Sequence, residues 1–91
     1  MAKLIKTDGS EMEVKPKNGR DFTLEELRTV IGCSWVEIVR LHDGSGSFFV
    51  VDEEGKLNGK DYNEKATVMY GCMPFDYIVG DALLCKKGEV R

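Results

Sequence analysis

The chain has a single histidine, two prolines, one tryptophan and three cysteines, and the cysteines form no CxxC pair. No stretch approaches the roughly 18 consecutive apolar residues that a membrane-spanning helix requires. The opening MAKLIKTDG has no apolar run of the signal-peptide kind, so no secretory leader is expected. Cys33, Cys72 and Cys85 cannot all pair with one another, and a four-ligand zinc site would need all three to converge with His42. Reduced, buried thiols in a cytosolic chain are the simpler expectation, with no metal and no cofactor. A phosphate-cradling loop is also missing, because "DGSGS" lacks the following Lys-Ser/Thr and the strand-to-helix context. There is no internal repeat and no low-complexity segment. Neither sign of charge dominates: 13 basic and 16 acidic residues leave a net charge of -3. Such a surface has no general attraction for nucleic acid or anionic lipid, and it is too weakly acidic to imitate DNA.

What is present describes one small folded unit. The 91 residues are 42% hydrophobic, which suits a single domain over 1–91 with residues 87–91 as a flexible tail. A chain of this size has room for one core and little room for a deep enclosed pocket. Ala2 to Thr7 suits a short strand, and Asp8-Gly9 is a turn signal. "EMEVKP" alternates, with Met12 and Val14 on one face and Glu11, Glu13 and Lys15 on the other, as in a strand with one wet side. "FTLEELRTVIG" is a helix with its punctuation in place. Thr23 and Glu26 form a capping box, Phe22 and Leu27 can close a hydrophobic staple, and Gly32 supplies a left-handed stop. Leu24, Leu27, Val30 and Ile31 repeat at helical spacing. Nine or so residues are too few for a helix to hold itself in water, so this one must lean on a sheet.

"SWVEIVRLHD" and "FFVVD" carry apolar residues on both faces and are joined by "DGSGS". The pattern predicts a paired centre of the sheet, covered on both sides. The second cover is expected from a helix begun by Asp61 or Asn63, with Ala66, Met69 and Tyr70 toward the sheet and Gly71 ending it. Asp61 and Glu64 repeat the capping-box spacing. Cys72 to Asp76 reads as a loop because Pro74 disfavours helical geometry before it. "YIVGDALLCKKGE" suits a strand, or a bent pair of strands, broken at Gly80-Asp81. The fold class expected is α+β, with one mixed or antiparallel sheet of about five strands and two short helices.

The blocks "VKPKNGRDFTLEELRTVIGCSWVEIVRL", "FFVVDEEGKLNGKDYNEKAT" and "IVGDALLC" resemble the DUF3846 family of small uncharacterised domains, over roughly Glu11 to Gly88. Asp52-Glu53 stands where that family more often has Asn-Glu. Tyr62 precedes the Asn63-Glu64-Lys65-Ala66 block where an aliphatic residue is commoner, and Gly32-Cys33 replaces a Gly-Gly pair. The resemblance implies the fold, no assigned activity, and an origin in bacterial mobile elements or phages.

The segment Asp52 to Met69 raises the question of function. It has five acids, three lysines and two glycines, and it lies between the most apolar stretch and a helix. Asp52, Glu53 and Glu54 could act as a general acid and base or bind a divalent cation, or they could simply end a strand in an acidic turn closed by Gly55. Strand parity sends Asp52 and Glu53 to opposite faces. Asn63 suits a helix cap and could instead present its amide to a ligand. His42 beside Asp43 makes a poor dyad, since adjacent strand residues face apart. Trp35, Phe48, Phe49 and Tyr62 are not interleaved with basic residues as single-strand binding requires. Lys15, Lys17 and Arg20 form a small basic loop. These features favour a non-catalytic interaction domain that docks a protein partner or a second copy, through a sheet edge or a self-complementary face. One alternative is a small acid-base or metal-assisted enzyme using Glu53 with Glu54, Asp52 or Asn63. Another is a nucleic-acid accessory protein.

Overall fold

In a computed structural model, residues 2–41, 44–71 and 77–90 are described. His42, Asp43 and the loop expected from Cys72 to Asp76 lie outside them. Seven elements follow in chain order: β1 (Ala2–Ile5), β2 (Glu11–Val14), α1 (Leu24–Ile31), β3 (Val36–Arg40), β4 (Phe48–Asp52), α2 (Glu64–Tyr70) and β5 (Ala82–Cys85). The strands form one sheet in the order β2-β1-β5-β4-β3, and each neighbouring pair is antiparallel. The α+β architecture read from the sequence is therefore the one observed.

The local signals act as their chemistry dictates. The β1–β2 turn closes with Gly9 N–H donating to the Lys6 carbonyl at 2.9 Å, and Gly9 takes the φ of 89° that favours glycine. In α1 the Thr23 hydroxyl accepts from the Glu26 N–H at 3.2 Å. Glu26 Oε1 accepts from the Thr23 N–H at 3.0 Å, which completes the capping box. Glu26 Oε2 also accepts from the Lys17 N–H at 2.9 Å and ties the preceding loop to the helix. In α2 the cap is Asn63. Asp61, the other expected cap, instead gives its carbonyl to the Gly80 N–H at 2.7 Å.

Period-two alternation divides the core between the two faces of the sheet. On one face Leu4, Val50, Leu83 and Cys85 pack with Phe22, Leu27 and Ile31 of the α1 segment. On the other, Ile5, Phe49, Val51 and Ala82 pack with Ala66 and Tyr70 of α2 and with Ile78. A helix thus covers each face. Complete burial of Phe49 or Leu83 contributes about 2–3 kcal/mol each.

The expected central pair holds only in part. β3 and β4 do pair, from Val36↔Asp52 to Arg40↔Phe48. The middle strand, however, is β5, and β3 is an edge. β4 is buried on both faces as predicted, whereas Ile38 is 52% exposed and Trp35 is 57% exposed. α1 reaches β3 at Val36 but leaves Ile38, two residues along the same face, uncovered. Leu24 and Met12, expected to face inward, are exposed. Leu24 occupies the first turn of α1, and Met12 sits on the opposite edge strand. After β5, the Phe22 N–H donates to the Glu89 carbonyl at 2.7 Å, and Val90 packs against the α1-side core.

Candidate functional site

The acidic turn grows directly out of β4. Asp52, the last residue of that strand, points to the α1 face like Val50 two residues before it. Its side chain is 2% exposed, and Oδ2 lies 3.0 Å from the Lys60 ammonium. Oδ1 accepts from the Glu54 N–H at 2.9 Å. The Asp52 carbonyl accepts from the Gly55 N–H at 3.1 Å, and Lys60 N–H returns to the Gly55 carbonyl at 3.0 Å. Burial pushes the Asp52 carboxyl upward. The Lys60 ion pair, the Glu54 amide and the Asn58 side chain outweigh that effect and leave it below the ordinary value. Residues 52–60 therefore form a closed loop around one buried ion pair.

Glu53 and Glu54 are exposed. Glu53 joins Asp52, Glu37, Val39, Lys56 and Tyr77 along a cleft of about 270 Å³ on the α2 side of the sheet edge. Lys56 Nζ stands 4.2 Å from the centre of the Tyr77 ring, and the Tyr62 and Tyr77 rings are 6.0 Å apart. Neither Glu54 nor Asn63 lines that cleft.

Asn63 is fully buried and uses its amide for structure. Its Nδ2 donates to the Ile5 and Gly80 carbonyls, each at 2.9 Å, and Oδ1 accepts from the Ala66 N–H at 3.0 Å. One side chain thus ties β1, the approach to β5 and the first turn of α2 together. Thr67 adds to the junction. Its hydroxyl donates to the Asn63 carbonyl at 2.7 Å and accepts from the Ile78 N–H at 2.8 Å.

Lys60 and Thr67 are the partners that sequence reasoning missed. A lysine eight positions after an aspartate has no periodicity that marks it. Thr67 does follow Asn63 by one helical turn, and the Asn63/Thr67 spacing was the available signal.

Among the described residues, no group of three His, Cys, Asp or Glu could hold a metal ion. Of the four zinc candidates, His42 and Cys72 lie outside the described residues, and Cys33 and Cys85 are free thiols. Burial raises the Cys33 thiol, with the Asp52 carboxylate adding to the effect, and burial pushes Cys85 up to about 12. The basic loop residues Lys15 and Lys17 border a cleft of about 540 Å³ whose other walls include Glu25 and Glu26, so no uniformly positive surface forms there. No helix among the described residues is long and apolar enough to cross a membrane.

The open edge of β3 is the remaining surface with chemistry to offer. Trp35 and Glu53, like Leu41 and Ser47, are hydrogen-bonded pairs of the β3–β4 ladder, through Glu53 N–H to the Trp35 carbonyl and Leu41 N–H to the Ser47 carbonyl. Odd-numbered residues of β3 therefore turn their backbone groups toward β4. Val36, Ile38 and Arg40 turn theirs outward. The opposite edge, β2, carries Glu11 and Glu13. There Glu11 is paired with Lys65 and lies 3.5 Å from Lys3, a charged guard of the kind that discourages strand addition. β3 has neither lysine nor proline, and its own charges, Glu37 and Arg40, are exposed without an ion pair among the described residues.

A five-stranded antiparallel sheet with one short helix on each face defines a compact α+β domain class. The chain belongs to the DUF3846 family, a domain of unknown function whose model matches residues 2–90. No curated protein and no solved structure matches it.

Proposed function

We propose that this chain is a small non-catalytic interaction domain whose β3 edge receives an extended segment by strand addition. One observation carries the reading: β3 turns the backbone groups of Val36, Ile38 and Arg40 to the open side of the sheet, beside the half-exposed Ile38 and Trp35. The hydrophobic faces of the sheet are occupied by the two helices, so the edge is where new pairing fits at little conformational cost. Free thiols at Cys33 and Cys85 support the cytosolic setting that accompanies this reading.

The enzymatic alternative draws support from Glu53 lining a cleft with Glu37 and Tyr77. It is disfavoured because Asp52 is already engaged by Lys60 and the Glu54 amide, and Asn63 is consumed by three structural hydrogen bonds.

The test is selection of extended peptides from a random displayed library, followed by amide exchange on the bound protein. Strand addition slows exchange at Val36, Ile38 and Arg40 and leaves Glu11 to Val14 unchanged. Ile38→Pro removes one outward N–H without touching the ladder to β4, and it abolishes binding. Peptides that protect another surface, or that bind Ile38→Pro equally well, refute the proposal.

A further inference from the structure

We infer that Asn58 is a site of spontaneous deamidation, in which the Gly59 amide displaces ammonia and a second carboxylate is left beside the buried Asp52–Lys60 pair.

Two of the three asparagines in the chain precede a glycine, at Asn18-Gly19 and Asn58-Gly59. Glycine is the neighbour that hinders the reaction least, because no Cβ crowds the nitrogen that must attack. The step begins when the Gly59 N–H gives its proton to a base in solvent. The nitrogen then bonds to Asn58 Cγ and closes a five-membered succinimide. The Cγ–Nδ2 bond breaks, and Nδ2 takes a proton from solvent and leaves as ammonia. Water opens the ring at either carbonyl, which yields aspartate or isoaspartate. Water is the one co-reactant, and nothing is oxidised or reduced.

The fold treats the two pairs differently, although both are exposed. The Asn18 carboxamide is clamped. Its Oδ1 accepts from the Arg20 and Asp21 N–H groups at 2.8 and 3.0 Å, and its Nδ2 donates to the Asp21 carboxylate at 2.8 Å. Swinging Cγ back onto the Gly19 nitrogen breaks these bonds, and the Gly19 N–H is itself held by the Pro16 carbonyl at 3.0 Å. The Asn58 side chain reaches the Asp52 carboxylate. A carboxylate only accepts, so that contact engages Nδ2, the group that leaves, and not Oδ1. The Gly59 N–H has a longer bond, 3.3 Å to the Lys56 carbonyl, and a weakly held N–H gives up its proton more readily.

The product falls where it does most harm. Asp52 is buried with Oδ2 at 3.0 Å from the Lys60 ammonium. A carboxylate at position 58 replaces a donor to Asp52 with a like charge and competes for the same ammonium. Isoaspartate also adds a methylene to the backbone between two loop bonds, Asn58 N–H to the Glu54 carbonyl at 2.8 Å and Lys60 N–H to the Gly55 carbonyl at 3.0 Å. The closed loop of residues 52–60 then no longer fits its own hydrogen bonds. Because Asp52 pairs with Val36, the loosening reaches the start of β3.

The experiment holds the full chain in mildly alkaline buffer, folded and in urea, and samples it over time. Digestion under acidic conditions and peptide mass mapping follow, with aspartyl and isoaspartyl forms separated by chromatography. In the folded chain the Asn58 peptide gains the deamidation mass severalfold faster than the Asn18 peptide. In urea the two rates converge, since each pair then has only its glycine to set the rate. Asn58→Gln, which cannot close a five-membered ring, removes the modification. Asn58→Asp lowers the urea midpoint below that of Asn58→Gln. Asn18 reacting as fast as Asn58 in the folded chain overturns the site, as does an Asn58 that reacts in urea but not when folded. An Asn58→Asp protein as stable as Asn58→Gln overturns the coupling to the ion pair.

Discussion

Replacing Asn63 tests whether one buried amide holds three parts of the fold together. In Asn63→Ala the Ala66 N–H loses its cap, worth about 1 kcal/mol, and the Ile5 and Gly80 carbonyls lose a donor in a fully buried position. Each buried carbonyl left without its partner costs about 1 kcal/mol or more. The sum is about 3–4 kcal/mol, against a total stability of roughly 5–13 kcal/mol for a domain of this length. Tm should fall by roughly 12–30 °C. Asn63→Asp is the sharper variant. Aspartate is as good a cap as asparagine on an exposed helix, so a residue that only capped α2 would tolerate it. Here the new carboxylate oxygen would face two carbonyl oxygens with no proton to offer, and the expected loss is at least as large as for alanine. Protonating that carboxyl restores a donor, so the deficit of Asn63→Asp relative to the parent should shrink on acidification. Urea unfolding with extrapolation to water measures both. An Asn63→Asp protein within about 0.5 kcal/mol of the parent at neutral pH would refute the bridging role.

Three further outcomes follow from the same geometry. Lys60→Met strands the buried Asp52 carboxylate and should cost about 3 kcal/mol in urea unfolding, with a smaller loss when Asp52→Asn is added, because the charge then goes with its partner. Gly80→Ala should destabilise more than Gly9→Ala by thermal melting. Both glycines have positive φ, so both pay about 1–2 kcal/mol of backbone strain, but only at Gly80 would a Cβ meet Lys60 Cδ at 2.8 Å. Stability should fall on acidification below the ordinary carboxylate range of about pH 4–4.5. Asp52, Glu26 and Glu11 all have lowered values in the folded chain, so their contribution is complete above the unfolded pKa and is lost as pH drops through the folded one. Glu26→Gln should shallow that acid limb, as read by chemical denaturation at a series of pH values.

Much of the fold could be read before any coordinates because its signals are local. The Thr23–Glu26 box, the Gly32 and Gly71 stops and the Asp8-Gly9 turn each depend on residues within a few positions of one another, and each works as the chemistry requires. The apolar runs of β3 and β4 also gave the right pair. They did not give the right neighbours. β5 takes the centre by pairing with β1 on one side and β4 on the other, and both are long-range contacts with no spacing signature. For the same reason β3 reads as interior while standing at the edge. Its Val36 and Val39 do pack toward opposite faces, but the cover they share does not extend over Ile38.

The candidate residues show the same division. Parity along β4 separated Asp52 from Glu53, and the exposure of the two residues agrees with that separation. That Asp52 would be buried against Lys60, and that the Asn63 amide would be spent on the Ile5 and Gly80 carbonyls, depends on chain segments brought together only by folding.

By itself the sequence determined the number and kind of elements, their caps and turns, and the alternation that splits the core between two helices. These follow from short-range hydrogen bonding and side-chain periodicity. Tertiary structure alone decided the strand order, the buried Asp52–Lys60 pair and the open β3 edge. Which strand is left without a neighbour depends on how all five share one sheet, and no local window of residues contains that competition.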